Sequence, residues 1–189
     1  MVRWCKIMAT VTINNSPVHS DSILTAVYGE TGPSWARFHT GIDFAPYGST
    51  PPKPVLFSVC LGEVYQVLYD ETLGNQIIIK DSVTNNYWRY CHMELPSPLS
   101  AGDIVNTNTV VGNMGDTGNV TGVHLHLEYS TSPIWNYDNF LNPATILGIP
   151  NERGTIVKYD GSTPPVEIVH KKRFPWPIYM RKIRKKLTK

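Results

Sequence analysis

Short runs in which apolar side chains cluster, or alternate with polar ones, recur along the middle of the chain: Val55–Val59, Glu63–Tyr69, Gln76–Lys80, Tyr87–Cys91, Thr109–Gly112 and Val123–Tyr129. Each has the length of a strand, and most are bounded by Gly, Pro, Asn or Asp, the residues that form turns. Fourteen glycines and fifteen prolines fit a chain that turns often. Long helical periodicity is hard to find, and no internal repeat of roughly 20 to 50 residues is visible. The pattern predicts an all-β fold of successive antiparallel strands with a groove across one sheet. Hairpin turns are expected at Leu73-Gly74-Asn75 and Thr84-Asn85-Asn86.

Polar positions inside the last run carry candidate chemistry. It reads Gly122-Val123-His124-Leu125-His126-Leu127-Glu128-Tyr129. Strand side chains alternate between faces, so His124 and His126 share one face while Leu125 and Leu127 point into a core. Far upstream, in Phe38-His39-Thr40-Gly41-Ile42-Asp43, His39 and Asp43 are also an even number of residues apart. An extended segment puts both on one face, and Gly41, without a Cβ, leaves room there for an ion. Two imidazoles and one carboxylate are a common ligand set for a catalytic zinc that keeps one position for water. Each piece alone has a plainer reading: a lone His-X-His is weak, His39 a turn histidine, Asp43 a loop carboxylate. The joint pattern is what points to a metal.

Together with Tyr90-Cys91-His92 and Gly115-Asp116-Thr117-Gly118, these segments resemble the lysostaphin/LytM zinc endopeptidases, which cut the peptide part of bacterial peptidoglycan. Order and approximate gaps both fit, from about Gly29 to Tyr129. Gly62-Glu63-Val64 and Ala101-Gly102-Asp103-Ile104-Val105 are further family-like positions. The resemblance implies a LytM-like antiparallel sheet or split barrel, one Zn²⁺ per chain on His39, Asp43 and His126, and His124 and His92 as the catalytic histidines.

The chemistry is coherent. Zinc lowers the pKa of its water to roughly 7 and polarises a carbonyl. A histidine outside the ligand set, with a pKa near neutrality, suits transfer of the proton to the leaving amine. His124 is placed for this, and His92 for the oxyanion or a second relay; which of them takes the proton stays open. Read without the family pattern, His92 is a strand-end histidine bonded to backbone.

Some positions depart from the family. The segment Gly48-Ser49-Thr50-Pro51-Pro52-Lys53-Pro54-Val55 is a few residues longer than usual, and its prolines keep it out of a sheet ladder. It is expected to reshape one groove wall and with it substrate choice. Tyr28 is the nearest candidate for a tyrosine that supports the transition state. Leu127 and Met93 replace the commoner phenylalanine and leucine as packing changes.

At 189 residues and 41% hydrophobic content the chain is long enough for one core plus appendages. The expected division is an N-terminal extension over 1–27, the metallopeptidase domain over 28–150, and a linker with a basic tail over 151–189. Charge follows that division: residues 1–150 hold 6 Lys/Arg against 12 Asp/Glu, and residues 151–189 hold 11 against 3. The tail, with Phe174, Trp176 and Tyr179 among its cations, suits an anionic wall polymer, a membrane surface or nucleic acid through charge, without base-specific recognition. Cys5, Cys60 and Cys91 are an odd number without metal-like spacing, and alternation points Cys91 away from His92. No run reaches membrane-spanning length. Met1–Met8 lack the features of a secretory signal. For an enzyme acting at the bacterial wall this favours phage delivery, virion association or release by lysis over host secretion. Two other functional classes stay in view: an inactive LytM-like domain that binds wall or regulates another hydrolase, and a structural virion component.

Overall fold

A computed structural model describes residues 8–33 and 35–162 of the chain. Among these residues, twelve strands, a 3-10 turn at Tyr137–Asn139 and one short α-helix follow in order. The strands are β1 (Thr10–Ile13), β2 (Ser22–Ala26), β3 (Gly41–Pro46), β4 (Val55–Phe57), β5 (Gly62–Asp70), β6 (Gly74–Asp81), β7 (Tyr87–Met93), β8 (Ile104–Val105), β9 (Val110–Asn113), β10 (Leu125–Ser130), β11 (Phe140–Leu141) and β12 (Ile156–Tyr159). The helix α1 (Pro143–Leu147) lies between β11 and β12. All six predicted runs are strands, shifted by a residue or two at their ends. No helix among the described residues is long and apolar enough to cross a membrane.

The large sheet runs β1-β12-β2-β3-β10-β7-β6-β5-β8, with β11 added to β10, and β4 and β9 form a second small sheet. The pairing is antiparallel except for β1 with β12, which is parallel. The boundaries expected at 27/28 and 150/151 therefore do not interrupt the sheet: β1 and β2 lie before the first and β12 after the second, and all three are hydrogen-bonded into it. They are hard to read in the sequence because each is short, and β12 finds its partners far away in the chain. The basic tail from residue 163 lies outside the described residues, as does Cys5.

Alternation gives the core. Ile42 and Phe44 of β3, Trp88 and Tyr90 of β7, and Leu125, Leu127 and Tyr129 of β10 are fully or almost fully buried in one cluster with Leu56 and Val111 of the small sheet. Burying each such side chain contributes roughly 1.5–3 kcal/mol. Tyr90 also ties the two sheets together, its hydroxyl donating to the Phe57 carbonyl at 3.0 Å and accepting from the Val59 N–H at 2.9 Å. His19 is stacked between Phe57 and Tyr159, with ring centroids 3.6 and 3.9 Å away, which fastens β12 to β4.

The β5–β6 turn differs slightly from expectation. Its residues are Glu71-Thr72-Leu73, pinned by the Asp70 carboxylate, which accepts from the Thr72 and Leu73 N–H groups at 2.8 and 2.7 Å, while Gly74 and Asn75 already belong to β6. Gly74 has φ +66°, and a Cβ there would collide with Thr117, so only glycine lets the 115–118 loop pack against this hairpin.

Candidate active site

β3, β10 and β7 lie side by side, and the face opposite the core floors a groove of about 810 Å³. Asp43 pairs directly with His126 across β3 and β10. His39 precedes β3 in a loop rather than sharing its extended run, yet its ring reaches the same point. Gly41 serves a different purpose from the one expected. A Cβ there would strike the Leu127 carbonyl and lie 2.9 Å from the His126 ring, so its absence makes room for the neighbouring strand rather than for an ion.

Three acceptor atoms converge. His126 Nδ1 lies 2.8 Å from Asp43 Oδ1 and 3.0 Å from His39 Nε2, and that nitrogen lies 3.1 Å from Asp43 Oδ1. The partners behind them set which ring nitrogens carry protons. His39 Nδ1 donates to the Val27 carbonyl at 3.0 Å, which leaves Nε2 as a lone pair in the neutral ring. His126 Nε2 faces Glu128 Oε1 at 3.2 Å, which likewise leaves Nδ1 free. Two imidazole lone pairs and a carboxylate within this distance repel unless a cation stands among them. Without metal a proton takes that part. Burial opposes charge on His126, but hydrogen bonds to Asp43 and Glu128 outweigh it and push its pKa up to about 10. Burial likewise works against the Asp43 carboxylate, yet His126 and His39 hold it well below the usual range. A tetrahedral ion with bonds of about 2.0–2.2 Å sets its ligands roughly 3.3–3.6 Å apart, so this nitrogen–nitrogen–oxygen set fits a divalent metal after opening by a few tenths of an ångström.

The other two histidines stand beside the triangle. The His92 ring centroid is 4.8 Å from that of His124 and 6.0 Å from that of His126. His124 Nδ1 donates to the Gly122 carbonyl at 2.9 Å, and its Nε2 lies 3.8 Å from Asp43 Oδ2. His92 Nδ1 donates to the Thr117 carbonyl at 2.9 Å, which leaves Nε2 as its acceptor. Burial, helped by repulsion from His126, lowers the His92 pKa to about 4, so the ring is neutral at physiological pH. His92 arrives by an irregular route. Between the pairs Asn75↔Met93 and Ile77↔Tyr90, β7 has one residue more than β6, and within this bulge His92 has φ +60°. The bulge also overturns the expectation for Cys91. It is buried on the site side of β7, with Glu128, Arg89, Asp70 and Asp43 as the charges around it, and burial raises its thiol pKa well above normal.

Tyr28 does not join the groove. Its hydroxyl donates to the Phe140 carbonyl at 2.9 Å and its ring packs edge-on against Phe38. The aromatic side chains that do line the groove are Trp35, Phe38, Trp135 and Tyr137, while the β5–β6 turn and residues 119–121 line it elsewhere. No residue of the long segment 48–55 lines the groove. Lys53 of that segment pairs with Glu94 at 3.3 Å and Asp116 at 3.2 Å. Thr117, Thr40, Arg89 and Glu128 also serve the site, and the sequence pattern does not single them out. Of these, Glu128 alone carries a signal, since parity places it on the His126 face.

A β-sheet groove with a His/Asp/His triangle and two further histidines defines a metallopeptidase class of site. The sequence model described as Peptidase family M23 matches residues 37–142, and the chain belongs to that family. The peptidoglycan DD-endopeptidase ShyC of Vibrio cholerae is 30% identical over 111 residues, 58% of this chain and 23% of that protein, so the matched segment spans about a quarter of the relative's length. The catalytic domain of the antimicrobial peptidase lysostaphin from Staphylococcus simulans shares the fold with a TM-score of 0.57 and 23% identity, over 67% of this chain and 92% of that domain. A point mutant of the catalytic domain of the prophage-encoded M23 protein EnpA from Enterococcus faecalis has a TM-score of 0.52 and 29% identity, over 65% and 88% of the two chains.

Proposed function

We propose that the protein is a zinc-dependent endopeptidase that hydrolyses peptide bonds in bacterial peptidoglycan, with His39, Asp43 and His126 as zinc ligands and His92 and His124 handling protons. The observation that carries this is the convergence of three acceptor atoms within 2.8–3.1 Å of one another on the floor of a groove. A zinc ion held by His39, Asp43 and His126 would supply Lewis acidity, lowering the pKa of bound water to roughly 7 and polarising a peptide carbonyl. His92 Nε2 is unprotonated and faces the site, which suits it to accept a proton. His124, held by the Gly122 carbonyl, presents its own Nε2 beside Asp43 and suits delivery of a proton to the leaving amine or support of the developing oxyanion. Peptidoglycan as substrate is supported by the relationship to ShyC, and a phage or prophage setting by the likeness to EnpA. The basic segment after residue 162 would add attraction to anionic wall polymers, a membrane surface or nucleic acid by charge alone.

Elemental analysis of the wild type and of Asp43→Ala, beside turbidity loss of purified cell walls, tests the reading. About one zinc per chain is expected, lost together with lysis in the variant. A wild type that takes up no metal when zinc is supplied sinks the site assignment, and metal without lysis on several wall types sinks the substrate.

A further inference from the structure

The geometry points to Glu128 as the positioning residue that decides which nitrogen of His126 is offered to the metal, an inference that rests on the metal reading above. Glu128 lies two residues beyond His126 on the same face of β10, is 1% exposed, and stands directly across from Arg89 of β7. Its Oε1 accepts from the Thr40 hydroxyl at 2.6 Å and from His126 Nε2 at 3.2 Å. The Thr40 hydroxyl also lies 3.3 Å from that nitrogen, so the two polar groups bracket the edge of the ring that faces away from the triangle.

The other carboxylate oxygen shows that this is more than a surface ion pair. Glu128 Oε2 is buried and makes no hydrogen bond, with Arg89 Nε facing it at 3.5 Å. Arg89 is largely committed elsewhere, donating to the Pro133 carbonyl at 2.9 Å and to Gln76 Oε1 at 3.4 Å. A buried carboxylate with so loose a counter-ion is costly, and it is retained where a second positive charge stands nearby. A cation held at the triangle would be that charge, reached through the imidazole. An acceptor behind Nε2 keeps the proton there, keeps Nδ1 as the lone pair and fixes the ring plane. Charge drawn from Nδ1 toward a bound cation in turn strengthens the Nε2–H bond to Glu128. Gln at this position keeps the shape, removes the charge and can turn its amide N–H toward His126, which favours the wrong tautomer.

Two measurements on the full chain test this. In the zinc-loaded wild type, nitrogen-15 NMR should show a downfield, slowly exchanging Nε2–H on His126 that moves upfield and exchanges faster in Glu128→Gln; its absence from the wild type overturns the inference. In a Zn²⁺ competition titration against a chromophoric chelator, Glu128→Gln should bind roughly 10- to 100-fold more weakly, with a changed Co²⁺ absorption spectrum. Thr40→Val, which keeps the carboxylate and removes one donor to it, should lose a smaller factor and carries the titration if Glu128→Gln fails to fold. Affinities within twofold of a tight-binding wild type overturn this inference and leave the metal reading standing. A wild type that binds no zinc overturns both.

Discussion

β10 and β7 are neighbours in the sheet, and each sends a histidine into the same groove by opposite means. Along β10 the alternation is unbroken: Leu125, Leu127 and Tyr129 fill the core, and His126 and Glu128 face the site. Along β7, Trp88 and Tyr90 fill the core, and strict parity would bury His92 with them. The extra residue of the bulge reverses that, so Met93 takes the core position and His92 turns out into the groove with φ +60°. The proposed metal ligand is thus held by the regular lattice of the sheet, where small displacements are resisted from both sides. The candidate proton acceptor is held by local strain, by the Thr117 carbonyl and by its own N–H bonded to the Leu73 carbonyl at 2.8 Å.

The largest effect that separates the two strands is in catalysis. His126→Ala should lose both bound zinc and wall hydrolysis. His92→Ala should keep about one zinc per chain and lose roughly 10²- to 10⁴-fold in kcat/KM. Metal analysis beside a hydrolysis assay on one peptide substrate reads both. If His92→Ala also releases the metal, the bulge belongs to the ligand scaffold and the distinction fails.

The same contrast marks how much is legible in the sequence. Parity places His126 and Asp43 on the floor of the groove because both lie in regular strand, and the pair is found face to face. Parity holds through Cys91, which pairs with His126 on the site face, and fails at His92, since a one-residue bulge leaves no mark in the pattern of apolar positions. The motif resemblance nonetheless puts His92 among the site residues. β1, β2 and β12 escape the pattern for a different reason: their partners are remote, and four or five residues carry little periodicity. Tyr28 is a candidate by its place in the sequence alone, and only the fold shows its hydroxyl spent on Phe140.

A smaller effect follows from the ring itself. The His92 pKa is lowered, by burial first, to about 4. An unfolded chain binds the proton near pH 6.5 and the folded chain only near 4, so between those values the unfolded state holds more protons. Stability contributed by neutral His92 is therefore complete above about 6.5, falls with pH through that window and is gone below about 4. Denaturant titrations of the metal-free wild type and of His92→Gln should diverge across it, the wild type losing up to about 3 kcal/mol more on acidification. Parallel curves would mean that the ring takes up its proton in place, and that the bulge leaves it wetter than its burial indicates.

The smallest effect isolates the backbone. At φ +60° any residue with a Cβ is strained by roughly 1–2 kcal/mol, whereas glycine is not. His92→Ala and His92→Gly both remove the ring, its bond to Thr117 and its titration, and they differ chiefly in that Cβ. Glycine also gains freedom in the unfolded chain, which offsets part of the relief. In metal-free urea melts at neutral pH, His92→Gly should be more stable than His92→Ala by about 1 kcal/mol. The corresponding pair at position 126, in regular strand, should order the other way, since glycine inside a strand is the weaker choice. Equal or reversed stabilities at 92 would show that β7 relaxes to ordinary pleating once the imidazole is gone. The side chain, through its bond to Thr117, would then be what holds the bulge in place.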